Sequence, residues 1–517
     1  MAQTHPALPP LTGGNLALAT VALSLATFMN VLDTTIANVS IPTISGDVGV
    51  SPSQGTWVIT SFAVANAISV PLTGWLTQRI GQVRLFISSI LLFVIASLLC
   101  GLSSSLEMLI AMRVFQGAVA GPMIPLSQAL LLQSYPQAKS GMALAMWSMT
   151  TLVAPVLGPI LGGWISDNYS WPWIFYINVP VGLASAWLTW RLLKSRESAT
   201  RKLPIDGVGL GLLVTGVGSL QVMLDKGKDL DWFASGQIVL LGAVAVVALT
   251  FFVAWELTER HPVVDLTLFK NRNFATGALS ISLGYGLFFS TVVVLPLWLQ
   301  QYMGYTATWA GIATAPVGFL ALLLSPLVGR ILPRTDPRLL ASFAFVVFAI
   351  TAFMRARFNT QVDMLAVVLP QVIQGIAMAT FFIPLTAVTL SGLAPERIPA
   401  AAGLSNFLRI MAGGMGASIS TTAWDDRAAL HHAHLMEHIS VYDPGTTHAL
   451  QGMAALGLSP EQSWGVLERE VTRQAYMLSA IDLSWLAGVL FLVLTAVVWL
   501  SRPATRKAAG SLAGGAH

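Results

Sequence analysis

The chain has 517 residues, 55% of them hydrophobic and 10% charged, and a mean hydropathy of +0.71, whereas soluble domains carry roughly 25% charged residues. That excludes an ordinary soluble enzyme and implies an all-α polytopic membrane protein. A formal charge of +4 fits cationic cytoplasmic loops rather than a nucleic-acid partner, and the single Cys100 excludes an intramolecular disulfide.

Apolar stretches long enough to cross a hydrocarbon core of roughly 30 Å lie near 16–40, 55–76, 84–102, 107–132, 140–164, 174–193, 205–224, 235–257, 273–297, 307–331, 338–354, 364–391, 400–423 and 477–500. They predict fourteen transmembrane helices. No Lys or Arg precedes Leu16, and the first run is longer than a signal-peptide core, so the first helix is expected to stay. An even number places both termini on one side. With that side cytoplasmic, 18 of the 27 Lys and Arg fall in cytoplasmic loops and tails. Seven fall outside (Lys226, Lys228, Arg355, Arg357, Arg427, Arg469 and Arg473), and Arg113 and Arg409 lie within helices. The positive-inside rule prefers this orientation.

The chain repeats internally. Pro71, Gly74 and Arg79 recur as Pro326, Gly329 and Arg334 at an offset of 255. Gln116-Gly117 and Ile124-Pro125-Leu126 recur as Gln374-Gly375 and Ile383-Pro384-Leu385 at offsets of 258 and 259. Both pairs map the second helix on the tenth and the fourth on the twelfth, which predicts two parallel six-helix halves with a binding site between them near the midplane. Residues 1–193 form the first half, 194–272 a two-helix insert with cytoplasmic linkers, and 273–517 the second half. Within the last, 424–476 is polar, has no spanning run, and reads as a small extracytoplasmic element.

Two charges interrupt the apolar runs. Asp33 is the one ionisable residue of the first helix. If that helix exits near Ser40, Asp33 lies roughly 10 Å below the outer surface. The fourth helix runs inward from Glu107, which puts Arg113 about 9 Å below the same surface. A charge at such depth is costly and is retained with a partner or a water-filled cavity. Burial and a neighbouring guanidinium act in opposite senses on a carboxylate's affinity for its proton, so a change of pairing or hydration can move one. Asp33 is therefore the expected proton carrier and Arg113 its partner; the alternative is a permanent ion pair joining two helices. Thr34, Asn38 and Gln116 are the nearby polar residues. Arg409 is a second buried cation, placed to meet an anionic substrate or backbone carbonyls. In the fifth helix Gly158 and Gly162 are a small-xxx-small pair for close packing, and Pro155 and Pro159 should bend it.

Leu32-Asp33-Thr-Thr-Ile-Ala-Asn38, Gly74-x-Leu76-x-x-Arg79-x-Gly81, Arg113-x-x-Gln116-Gly117 and Gly158-Pro159-x-x-Gly162-Gly163 resemble the signature motifs of the major facilitator superfamily, and more narrowly of its fourteen-helix drug:proton antiporter branch. The resemblance runs from about Leu18 to Leu500. It implies a proton-coupled exporter of lipophilic small molecules in a bacterial inner membrane. Asp33 and Arg113 would be the coupling pair; Gly158, Pro159, Gly162 and Gly163 would form the bend that controls outward closure; Gly74, Arg79 and Gly81 would form a cytoplasmic latch. Gln78 stands where the superfamily usually has an acid, which questions that latch. A periplasmic adaptor and an outer-membrane channel are the implied partners of a tripartite pump, with 424–476 as a docking element.

Other signals carry less. His431, His432, His434 and His438 include a metal-like i, i+4 spacing but no cysteine joins them, and no metal or cofactor is expected. Gly207-Val-Gly209-Leu-Gly211 has no preceding strand and fails the dinucleotide context. No HExxH, GxSxG or P-loop pattern supports a membrane enzyme. An uptake carrier for one metabolite and a non-transporting sensor or scaffold are the competing readings. Phe and Met side chains would suit a permissive pocket.

Overall fold

A computed structural model describes residues 10–50, 52–201, 204 and 206–503. Among these the chain is helical, with no strand. The first half comprises α1 (Gly13–Val48), α2 (Trp57–Ile80), α3 (Gln82–Gly101), α4 (Leu106–Ser134), α5 (Ser140–Asn168) and α6 (Asn178–Leu193). The insert is α7 (Gly207–Lys226) and α8 (Gly236–Thr258). The second half comprises α9 (Arg272–Tyr302), α10 (Trp309–Arg334), α11 (Pro337–Arg355), α12 (Met364–Leu390), α13 (Ile398–Glu437) and α14 (Pro460–Val498).

Eleven of these helices are long and apolar enough to cross a membrane among the described residues. The other three expected crossings are helical too. The 16 residues of α6 are short of the roughly 20 that span a bilayer, the first part of α13 is rich in Gly, Ser and Thr, and α5 includes positions whose side chains are not described.

Three expectations change. Helix α1 does not end near Ser40: its apolar span runs to Ala37, but the helix continues to Val48 and ends at Gly49, whose φ of +74° closes it in the left-handed region. The segment 424–476 is not a separate element. Its first part extends α13 and its last part begins α14, because Trp424, Tyr476 and Tyr302 form an aromatic knot with Tyr302 and Tyr476 stacked at 4.2 Å. Arg427 and His431 also reach Asp482 across the pair, and a short helix, Pro444–Ala455, covers the tip. Arg355 is not an exposed loop cation, since it is the last residue of α11 and 5% exposed.

The halves meet at the end of the molecule where α1 begins and α14 ends. A Cβ on Gly74 in α2 would lie 2.5 Å from the Cβ of Ala400 in α13. One on Gly141 in α5 would lie 2.4 Å from the carbonyl oxygen of Gly329 in α10. Backbone contact this close is what glycine permits. At the opposite end the insert bridges the seam: Thr60 of α2 donates to Asp225, Ser418 of α13 donates to the carbonyl of Leu224, and Lys228 pairs with Asp425 at 2.8 Å.

Candidate functional site

Asp33 and Arg113 meet in the interior of the first half, both fully buried, with Arg113 Nη1 2.5 Å from Asp33 Oδ2. The guanidinium is held on three sides. Its Nε donates to the carbonyl of Val58 at 2.9 Å, its Nη1 also reaches Gln116 Oε1 at 2.6 Å, and its plane lies 4.2 Å from the ring centre of Phe62. The other carboxylate oxygen, Asp33 Oδ1, accepts from Gln116 Nε2 at 3.1 Å and Asn178 Nδ2 at 2.9 Å. Both amides also donate to Ser97 Oγ, at 2.8 and 3.3 Å.

Five helices therefore close on one carboxylate: α1 carries it, α2 and α4 hold its cation, and α3 and α6 complete the polar lining. A buried ion pair offsets its desolvation only with good geometry and further hydrogen bonds, and removing one partner strands the other. This cage supplies most of those bonds while Asp33 is ionised; among the described residues Arg113 Nη2 has no partner. A neutral side chain at position 33 would leave Arg113 without its counter-charge.

The expected site residues divide. Asp33, Arg113 and Gln116 come together. Thr34 turns away, its hydroxyl donating to the carbonyl of Val31 at 2.7 Å. The side chains of Asn38 and Pro159 lie outside those described. Gly158 and Gly162 press α5 onto α1 one turn from Asp33: a Cβ on Gly158 would fall 2.1 Å from Thr35 Oγ1, and one on Gly162 2.8 Å from the carbonyl oxygen of Ile36. Gly163, next to it, is half-buried.

Arg409 belongs to a different place. Its guanidinium lies 4.9 Å from the ring centre of Tyr285 and 5.4 Å from that of Phe382, and it donates to Asn406 at 2.9 Å. Asn406 in turn donates to Gln128 of α4 at 3.3 Å, across the seam between the halves. A cavity of about 10 Å³ lies there.

Of the latch residues, Gly81 lies against a carboxylate that the motif alone does not contain. Glu197, from the linker after α6, accepts from the backbone N–H groups of Val83 and Arg84 at 3.0 and 2.8 Å, at the N-terminus of α3. Gly81 has φ +99°, and a Cβ there would lie 2.4 Å from Glu197 Oε1. An acid at a helix N-terminus complements its unpaired N–H groups and dipole, so Glu197 supplies a carboxylate beside a motif that has Gln78. Arg79 stacks on Trp75 at 5.3 Å, and Gly74 faces Ala400.

Sequence reasoning missed Asn178, Ser97, Val58 and Glu197. Asn178 left a signal, an amide at the start of an otherwise apolar run; the carbonyl of Val58 could not, since every residue has one.

The model of the Major Facilitator Superfamily matches residues 23–417. The chain is 54% identical to the multidrug export protein EmrB of Escherichia coli K12, over 98% of this chain and 99% of that one. It is 54% identical to EmrB of Haemophilus influenzae, over 96% and 97%, and 51% identical to the fatty acid resistance protein FarB of Neisseria gonorrhoeae, over 96% and 98%. Among solved structures, the human organic anion transporter MFSD10 superposes with a TM-score of 0.58 at 12% identity, covering 94% of this chain and 100% of that one. The proton:xylose symporter XylE gives 0.58 at 14%, covering 94% and 95%. At these identities the two structures speak to the fold.

Proposed function

This chain belongs to the major facilitator superfamily and is a close relative of its EmrB multidrug exporters, and from that premise we propose that it is a proton-coupled antiporter that exports hydrophobic compounds by alternating access. It is a multi-pass inner-membrane transporter. In this reading the chain crosses fourteen times with both termini in the cytoplasm, and the glycine-tight seam at the terminal end is the closed cytoplasmic gate.

The observation that carries the proposal is the fully buried Asp33 and Arg113 pair beside the α1 and α5 crossing. Asp33 loses its proton to the cytoplasm and regains it from outside. Each protonation frees Arg113 from its counter-charge, and α1 transmits the change through Thr35 and Ile36 to Gly158 and Gly162 on α5. Export follows when proton and compound compete for the same half. The aromatic surface around Arg409, with Tyr285 and Phe382, lies between the halves and suits flat lipophilic ligands through stacking and cation–π contact.

The extension of α13 and α14 with its covering helix is the part of the chain placed to meet a periplasmic adaptor, which would connect the pump to an outer-membrane channel. The test of the central claim uses inverted membrane vesicles with a respiration-driven pH gradient. Adding lipophilic compounds should collapse the gradient in the wild type and leave it unchanged with Asp33→Asn. A variant that still pumps against a gradient would sink the coupling role of Asp33.

A further inference from the structure

The repeat carries the Asp33 cage into the second half with its chemistry altered. At the offset of 258, Arg113 and Gln116 correspond to Gln371 and Gln374, and at 255 Cys100 corresponds to Arg355. The contacts recur as well: Cys100 Sγ lies 3.6 Å from Gln116 Oε1, and Arg355 Nη2 donates to Gln374 Oε1. The cation has moved from the fourth helix of the half to the third. No carboxylate lines the cavity that it faces.

A cavity of about 40 Å³ lies at this position, between α9, α11 and α14. A single water needs roughly 10–15 Å³ of such space, so the cavity is large enough for a small anion or a carboxylate head. Arg355 and Trp298 both line it and are 5% and 1% exposed. Among the described residues Arg355 Nε and Trp298 Nε1 have no hydrogen-bond partner. The lining contains no Asp or Glu. A buried guanidinium without a counter-charge is strongly unfavourable, and two unused N–H donors at one cavity want an acceptor. The remaining walls, among them Phe358, Met477 and Leu483, are apolar. Half-buried Ser484 and Leu483 mark the side that opens between α9 and α14.

We propose that this cavity binds a monoanion on Arg355 and Trp298, supplied as the carboxylate head of an amphiphile or as a free small anion. One guanidinium sets the charge of the ligand, and the apolar walls favour an alkyl carboxylate whose tail leaves between α9 and α14. Neither Asp33 nor Arg113 takes part, so the site stands or falls independently of the antiport reading.

The test is equilibrium dialysis of labelled decanoate and, separately, labelled chloride against the full-length protein in nanodiscs, with empty nanodiscs subtracted and gluconate as background salt. The wild type should bind one anion saturably. Arg355→Gln should weaken binding at least about tenfold, the loss expected for one charge-assisted hydrogen bond. Thr291→Asp places a carboxylate on the wall of the cavity that Arg355 lines. It should abolish binding while the unfolding temperature stays at or above that of the wild type, and it serves where Arg355→Gln does not fold. Decanoate binding that chloride does not displace identifies the amphiphile as the source; displacement together with saturable chloride binding identifies a free anion. Unchanged binding in Thr291→Asp, or no saturable binding of either anion to the wild type, overturns the proposal. Asp33→Asn should bind decanoate as the wild type does.

Discussion

In the first half a carboxylate and a guanidinium close on each other among five helices. In the second half the positions of Arg113 and Gln116 hold Gln371 and Gln374, with Arg355 as the nearby cation, beside a core in which Phe345, Phe348, Phe381 and Phe491 pack ring on ring. The helix crossings nevertheless repeat. Gly416, 258 positions after Gly158, presses α13 onto α9, where its Cβ would fall 2.3 Å from the carbonyl oxygen of Gly286. The repeat has kept the close approach and the amide at Gln116 and Gln374 while the charges diverged. One half thus holds a closed pair of opposite charges, and the other is built as an aromatic scaffold with a buried cation that has no carboxylate beside it.

The largest effects should come from breaking the pair that distinguishes the halves. Asp33→Asn should reduce proton-coupled export to background and lower stability by about 3–5 kcal/mol, the cost of leaving one buried charge unpaired. The double variant Asp33→Asn with Arg113→Gln should recover much of that stability, since replacing a whole buried pair is often neutral, yet remain inactive. Thermal unfolding and vesicle export, measured on the same preparations, separate the two losses. Export in the double variant would mean that the pair only joins helices.

Next come the two crossings. Gly416→Ala faces backbone atoms that have nowhere to go, so overpacking should cost about 1–3 kcal/mol in thermal unfolding. Gly158→Ala meets chiefly the side chain of Thr35, and it should lower export while costing less stability. Adding Thr35→Ala, which removes the clashing hydroxyl, should restore part of the export. Equal stability losses at the two glycines, with no rescue, would make α1 and α5 as rigid a contact as α9 and α13.

Much of this was legible in the sequence for a definite reason. Asp33 and Arg113 are charges inside apolar runs, and only a buried partner makes such charges tolerable, so their meeting could be inferred from depth alone. The repeat and the insert were legible because Pro, Gly and Gln recur at matching offsets. Asn178, Ser97 and the carbonyl of Val58 were not, because uncharged polar groups in a helix look the same whether they face a carboxylate or the neighbouring turn. Arg355 was misread because a charge at the end of an apolar run is ordinarily solvated, and only its packing against Trp298 and Gln374 says otherwise. The extension of α13 past Trp424 was hidden for the opposite reason: a polar helix outside the membrane has no hydropathy signal.

The smallest effects concern the loops that start α3 and α11, where the halves cap equivalent helices differently. Gly81 carries no side chain and borrows the carboxylate of Glu197. Asp336, at the offset of 255, caps its own helix by accepting from the N–H of Arg338 at 2.9 Å. The Arg338 side chain, hydrogen-bonded to it, holds the Asp336 carboxyl below the usual carboxylate range, against partial desolvation and with help from that backbone N–H. Glu197→Gln should cost about 1 kcal/mol, and because the linker itself is released, it should also raise protease cleavage between α6 and α7. Asp336→Asn should cost less than about 1 kcal/mol, as a partly exposed pair does. A depressed carboxyl contributes its full stability above its unfolded value of about 3.9 and loses it as pH falls through the folded value. The deficit of Asp336→Asn at neutral pH should therefore shrink below about pH 4 and vanish on further acidification. Unfolding temperatures taken from pH 7 down to pH 3 would measure this, and a deficit that persists at the acid end would show that Asp336 acts through its shape rather than its charge.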